Sequence, residues 1–245
     1  MKLRIIFQPM VTTHFIGLLF LIMLFFPIFN FILATAFIRC LGIPPVIAFL
    51  LIVASLFGSM INIGFMEFTS EEPIVVFDEI TFFGFRWLLP KVIHRHKVIL
   101  AINVGGAIIP ILVSLILLLY IVPNYELNPI ITYIKILCGV VIVTIVVNKF
   151  SLVKKGLGIL VPLFIPVTVT VITTLVLYGI YVISNPFIIA YVSGTFGTLI
   201  GADILNLKKV LKGYAYIVSI GGAGTFDGIF MTGLISILMV FLLIL

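Results

Sequence analysis

Two aspartates near the end of the sequence are the residues best suited to chemistry. Asp203 and Asp227 each lie in an apolar segment, and a short basic stretch separates the two segments. A carboxylate at membrane depth is expensive, so it is a functional-site hypothesis by default. Two carboxylates that meet can bind a proton or cation, or they can share a proton and activate water. The pair therefore predicts a polar site for transport or for hydrolysis.

Asparagines and glycines accompany the two acids. Asn206 lies one helical turn after Asp203, and Asn103 precedes a Gly-Gly pair in an earlier apolar segment. Glycines let membrane helices break or approach closely, which is typical of polar cavities. An alternative is that the acids cap helices near the interface, where water or Lys208 satisfies Asp203. The predicted solute- or ion-binding residues are Asp203, Asp227, Asn206, Asn103, Gly221, Gly222 and Gly224, and the two aspartates are the catalytic residues of a hydrolase.

The composition indicates the class of protein. The 245 residues are 63% hydrophobic and 9% charged, with a mean hydropathy of +1.45. A soluble domain of this size needs a more polar surface, so the sequence predicts an all-α integral membrane protein in a lipid bilayer. The net charge of +6 lies in loops beside apolar segments, which argues against nucleic acid as a partner. Cys40 and Cys138 lack metal-ligand spacing, and neither a metal nor a cofactor is predicted.

Seven apolar segments, each near the roughly 20 residues that a bilayer requires, predict seven transmembrane helices. The run from Phe15 is longer than a signal peptide's apolar region and is predicted to be the first span. All but two of the 14 Lys and Arg residues then lie on one side. The positive-inside rule predicts a multi-pass protein of the cell membrane with its N-terminus in the cytoplasm and its C-terminus outside. The predicted segments are approximately 13–37, 44–63, 98–121, 129–148, 158–183, 186–206 and 216–245.

The longest loop, residues 64–97, predicts a small hairpin on the membrane surface. In it, 74–77 would pair with 80–83 around a turn at Asp78 and Glu79. His94 and His96 form an H-x-H pair that can bind metal, but the flanking cations favour an interfacial role.

Similar segments recur in the same order in the two halves. The segment 24–28 resembles 163–167, and the segment that begins at Pro44 resembles the one at Pro186. The spans that these two prolines open end at Asn62 and Asn206, and 103–107 resembles 219–223. Ordered matches of this kind predict a parallel 3+1+3 duplication within a single transmembrane domain. The predicted parts of the domain 1–245 are repeat one at about 13–121, a linker helix at about 129–148 and repeat two at about 158–245.

Longer stretches around the acids resemble a known family. These stretches are GTFGTLIGADILNL at 194–207 and SIGGAGTFDGIFMTG at 219–233, with INVGGAIIP at 102–110 and GLGILVPLFIP at 156–166 in support. They resemble an uncharacterised family of prokaryotic and archaeal integral membrane proteins, the domain of unknown function sixteen-fourteen. The resemblance covers most of the chain. It implies a multi-span membrane protein and no established activity.

A looser similarity is to intramembrane aspartyl proteases of the presenilin and signal-peptide-peptidase type. Those proteases carry one Asp on each of two successive helices, the second within Gly-x-Gly-Asp. Here two additional residues separate Gly224 from Asp227, and Ala202 replaces the tyrosine that precedes the first Asp. A Pro-Ala-Leu element is missing as well. The similarity implies an aspartyl dyad of Asp203 and Asp227.

The sequence is compatible with two functions, and a purely structural scaffold is a third interpretation. The first is a small transporter or ion-coupled permease, with an Asp-containing cavity in the cytoplasmic half that holds a small solute or ion. The predicted duplication favours it. The second is an intramembrane aspartyl-type protease that acts on a membrane peptide. Either function is compatible with an oligomer.

Overall fold

A computed structural model describes most of the chain and omits the N-terminal apolar segment. The predicted first span at 13–37, Gly224 and Asp227 therefore lie outside the described residues. Six helices and eight strands occur within the described ranges. Those ranges are 4–7, 45–70, 74–82, 85–93, 96–154, 158–162, 164–211, 217–222 and 228–244.

Helices form most of the described chain. They are α1 (Pro45–Gly58), α2 (Val104–Tyr125), α3 (Pro129–Phe150), α4 (Phe164–Ile180), α5 (Pro186–Leu211) and α6 (Gly228–Ile244). Within the described residues, α2, α3 and α5 are long and apolar enough to cross a membrane, whereas α4 and α6 are apolar but shorter. A helix of 22 residues such as α3 is about 33 Å long, close to the thickness of a bilayer core. The chain is a membrane-associated helical protein, and the number of seven spans stays a prediction.

Asparagine–proline pairs set the start of two long helices. The Asn128 carboxamide accepts the Ile131 N–H at 3.3 Å before α3, and the Asn185 carboxamide accepts the Phe187 N–H at 2.9 Å before α5. Proline follows each asparagine at the first helical position. The missing N–H of proline costs no hydrogen bond at this position, because the N–H groups of the first helical turn have no acceptor within their own helix.

Helix α5 lies at the centre of the bundle and packs against α3, α4 and α6. Two glycines bring its backbone close to α3. A Cβ added at Gly201 would lie 2.6 Å from the Thr144 carbonyl oxygen, and one at Gly197 would lie 2.6 Å from the Val143 side chain. Small residues of this kind allow membrane helices to pack closely. The outer face of α3 instead presents large apolar side chains, a surface that suits lipid, at Leu137, Val141 and Ile145.

Strands form a second part of the fold, so the all-α prediction is wrong. A four-stranded sheet has the order β1 (Arg4–Phe7), β2 (Ile61–Ser70), β5 (His96–Asn103) and β8 (Ile217–Ile220). Its first two pairs are antiparallel, and β5 is parallel to β8. Two hairpins complete the described strands: β3 (Ile74–Phe82) with β4 (Phe85–Ile93), and β6 (Leu152–Lys154) with β7 (Gly158–Leu160).

The strands correct the predicted boundaries. Four of the predicted spans combine a strand with a helix: 44–63, 98–121, 158–183 and 216–245. The predicted hairpin is also wrong, because Asp78 and Glu79 lie within β3, and the strand pairs with β4 rather than folding on itself.

The duplication stays a prediction. Strand β5 ends at the first residue of the matched segment 103–107, and β8 contains the first two residues of 219–223; the two strands are parallel neighbours. Their register pairs Ala101 with Ser219, however, whereas the sequence match aligns Asn103 with Ser219. The matched asparagines also differ in structure, since Asn62 lies in β2 and Asn206 lies in α5.

Candidate functional site

A cavity of about 110 Å³ lies where α4, α5 and α6 meet β7. It has room for several water molecules. Gly228 on its wall is the residue that follows Asp227 in the sequence. The second acid is therefore adjacent in sequence to a residue on the wall of the cavity that Asp203 also lines. The lining residues are Ile159, Val161, Pro166, Thr198, Ala202, Asp203, Gly228 and Ile229.

Asp203 lies in a widened turn of α5. Residues Leu199–Ile204 form a π-helical segment, in which the Leu205 N–H donates to the Ile200 carbonyl at 3.0 Å. Such single π turns in helices frequently occur at functional sites. The carboxylate is half-buried and accepts the Gly221 N–H at 2.8 Å. A backbone donor at the end of β8 thus holds the acid.

Two asparagine side chains stabilise this widened turn. The Gly201 carbonyl accepts the Asn148 amide at 3.0 Å and the Asn206 amide at 3.3 Å. Asn206 also donates to the Ala202 carbonyl at 3.0 Å. Asn206, a predicted binding residue, therefore binds the backbone of α5 and is not among the lining residues. Asn148 is not among the predicted binding residues, although its place near the end of a neighbouring apolar helix was a usable signal.

Gly221 and Gly222 bend the chain after β8. Both have a φ of +83°, a conformation that side chains rarely adopt. Gly221 also packs against the start of α2, where an added Cβ would lie 2.6 Å from the Ala107 Cβ. Glycine at this position therefore allows both the turn and the close approach. The turn places the Gly221 N–H at Asp203, so two predicted site residues are brought together.

Asn103 belongs to a buried polar network at the start of α2. Its carboxamide oxygen accepts the Gly106 N–H at 2.7 Å and so caps α2, and its amide donates to the Ser59 carbonyl at 2.7 Å. The amide also donates to the Asn62 oxygen at 3.0 Å, which in turn accepts the Ser219 hydroxyl at 2.5 Å. The network ties β2 and β5 to β8, two residues before Gly221. From the sequence, Asn62 and Ser219 were identified only as parts of the predicted repeat.

The geometry defines a membrane-associated helical protein with an acid on the wall of a small internal cavity. Such an acid can accept a proton from water or bind a cation.

A family profile described as "Protein of unknown function (DUF1614)" matches residues 56–239, and the chain belongs to this family. The match confirms the family that the sequence predicted, and it includes both aspartates. No curated protein and no solved structure matches the chain. The similarity to presenilin-type proteases stays a hypothesis.

Proposed function

We propose that the protein is an intramembrane aspartyl-type hydrolase that cleaves membrane peptides with Asp203 and Asp227. One observation carries the proposal. The Asp203 carboxylate, held by the Gly221 N–H, lines a cavity whose wall includes the residue that follows Asp227. The chain between Gly221 and Gly228 contains the second acid. Two carboxyl groups that meet at a small cavity can share a proton and activate water.

The proposed reaction uses one ionised and one protonated carboxyl group. The ionised group takes a proton from water while the oxygen of that water bonds to the carbonyl carbon of the peptide. The protonated group donates its proton to the carbonyl oxygen. The C–N bond of the tetrahedral intermediate then breaks. The first carboxyl group gives the proton that it took from water to the leaving nitrogen, and the second takes a proton back from a hydroxyl group of the intermediate, which restores both groups. Both carboxyl groups take part, so each is required.

The sheet supports a peptide as the substrate. Among the described residues, β8 is the last strand of its sheet. The backbone groups of an edge strand can pair with an extended segment of another chain. Gly221, directly after β8, is bonded to Asp203. A peptide that pairs with β8 is thereby led toward the cavity.

Ion-coupled transport is the second candidate, and the position of the cavity favours it. The cavity lies between helices of the bundle, and an acid inside a membrane protein often marks an ion pathway. Transport was the preferred prediction from the sequence because the predicted duplication favours a transporter. The structure adds the strand beside the acid, which suits a peptide better than an ion. The hydrolase is therefore the better supported of the two.

Co-reconstitution with a peptide tests the two candidates together. Purified protein is placed in liposomes with a membrane-spanning reporter peptide, and the products are identified by mass spectrometry. We expect cleavage by the wild type and none by Asp227→Asn, because the amide can neither accept nor supply the proton. Uptake of protons and of monovalent cations is measured in the same liposomes. If the wild type carries protons or cations, Asp227→Asn abolishes this flux and no peptide is cleaved, the protein is a transporter. If the wild type shows neither cleavage nor flux, both candidate functions are refuted.

We further propose that the end of the helix bundle next to the four-stranded sheet faces the cytoplasm of the cell. Exposed lysines gather at this end, at Lys97, Lys149, Lys154, Lys208 and Lys209, as the positive-inside rule requires of a cytoplasmic side. Asn124 precedes α3 and Lys154 follows it. Single cysteines at these two positions, in a variant without the native cysteines, should react with an impermeant thiol reagent from opposite faces of the membrane. Labelling from one face only would contradict the orientation.

A further inference from the structure

A threonine on the cavity wall has a buried hydroxyl group that lacks a partner. Thr198 lies on α5, about one turn before Asp203, and is 2% exposed. Its Oγ1 makes no hydrogen bond with any of the described residues. Buried hydroxyl groups in proteins are nearly always bonded, because an unbonded one loses its hydration without compensation. An unbonded hydroxyl at a cavity wall can donate to a water molecule or to a ligand inside the cavity.

The local helix geometry would allow Thr198 another solution. A threonine in a helix can donate to the carbonyl four residues earlier. Thr170 on α4 does so, with its hydroxyl 2.7 Å from the Pro166 carbonyl oxygen. Thr198 does not form this bond in the described structure. Its hydroxyl therefore has no acceptor within the described part of the chain and can donate into the cavity that Asp203 also lines.

The rest of the wall limits the kind of ligand. Among the described lining residues, Thr198 and Asp203 have the only polar side chains, and the others are aliphatic residues, Pro166 and Gly228. A metal cation prefers more oxygen ligands than one hydroxyl and one carboxylate. A peptide group has one carbonyl oxygen to accept a hydrogen bond and apolar neighbours to fill the remaining wall. The cavity thus suits an amide carbonyl.

We propose that Thr198 is a substrate-binding residue whose hydroxyl donates to the carbonyl oxygen of the peptide bond that is cleaved. The inference rests on the proposed hydrolase and names a donor at its site. As water adds to the carbonyl carbon, electron density moves to this oxygen, and a donor fixed in place stabilises it. The acid pair still transfers the protons, and the C–N bond breaks as before. Thr198 supplies binding and polarisation.

A valine substitution separates this role from a structural one. Thr198→Val keeps the shape of the side chain and removes the hydroxyl. In the substrate-free protein it removes an unbonded buried polar group, so the melting temperature should stay the same or rise. Cleavage of the reporter peptide should nevertheless fall at least tenfold in kcat, with a smaller change in KM, because the bond strengthens in the transition state. Thr198→Ser keeps the hydroxyl and should retain most of the activity.

Thr174→Val is the matched control. Thr174 is fully buried on α4, its hydroxyl also has no partner among the described residues, and it is not among the residues that line the cavity. This variant should gain or keep stability and should cleave the peptide at the wild-type rate.

Several results would overturn the assignment of Thr198. If Thr198→Val cleaves normally while Asp203→Asn is inactive, the hydrolase stands and the donor role is wrong. A lower melting temperature of Thr198→Val would show that the hydroxyl bonds within the protein. Equal losses in Thr198→Val and Thr198→Ser would assign the effect to packing of the methyl group. If the wild type never cleaves a peptide, the proposed function and this inference fail together.

Discussion

Asp203→Asn should reduce cleavage of a membrane peptide by roughly 10³-fold, the contribution typical of a group that transfers protons in the transition state. The amide has the same shape as the carboxyl group, and its oxygen can still accept the Gly221 N–H. The fold is therefore expected to persist, with a melting temperature within a few degrees of the wild type. The measurement compares initial cleavage rates at equal protein in liposomes, together with thermal unfolding in detergent.

Glu67→Gln is the control for this loss of a carboxylate. Glu67 lies on β2, where it forms an exposed ion pair with Lys97 at 3.3 Å. Exposed pairs contribute only about 0–1 kcal/mol, so the variant should fold and cleave as the wild type does. Residual activity above one-tenth in Asp203→Asn would show that Asp203 does not transfer the proton. Equal losses in both variants would indicate a general effect of charge.

The positions of the long helices follow from the sequence, whereas the strands do not. Helix α3 was predicted at 129–148 and extends over Pro129–Phe150, because an Asn-Pro pair starts it and an uninterrupted apolar run continues it. Strand β5 is also apolar, and it continues without a break into the apolar helix α2. A short apolar run has no periodicity that separates a buried strand from a helix. Only Asn103, which caps α2, marks the boundary.

The candidate site could be predicted in part for a related reason. Asp203 and Gly221 are identifiable because an acid in an apolar segment and a run of glycines are unusual in any single stretch of sequence. The Ser219–Asn62 hydrogen bond joins residues 157 positions apart. That contact depends on the order and register of four strands, which local patterns do not determine. Residues such as Asn148 lie on other helices or strands and help to position the acid. Local sequence patterns therefore do not identify them.

Gly105→Ala should destabilise the protein by about 3 kcal/mol, at the upper end of the cost of overpacking. A Cβ at Gly105 would overlap with the carbonyl oxygen of Ser55 and the amide nitrogen of Ser59. Both are backbone atoms at the end of α1, and a hydrogen bond of 2.9 Å joins them. Relief requires that α1 and α2 move apart, which breaks the 2.6 Å hydrogen bond from the Ser55 hydroxyl to the Gly105 carbonyl. No flexible side chain can absorb the overlap.

The same displacement should reach the cavity, so Gly105→Ala should also lose activity at temperatures where it remains folded. The start of α2 contacts Gly221, and Asn103 at the cap of α2 bonds to Asn62. Thermal unfolding in detergent measures the stability, with Gly179→Ala on α4 as the control. An added Cβ there meets no atom within 4 Å, so alanine should raise stability by up to about 0.5 kcal/mol through its helix propensity. If both variants unfold at the wild-type temperature, α1 does not pack on the start of α2 as described.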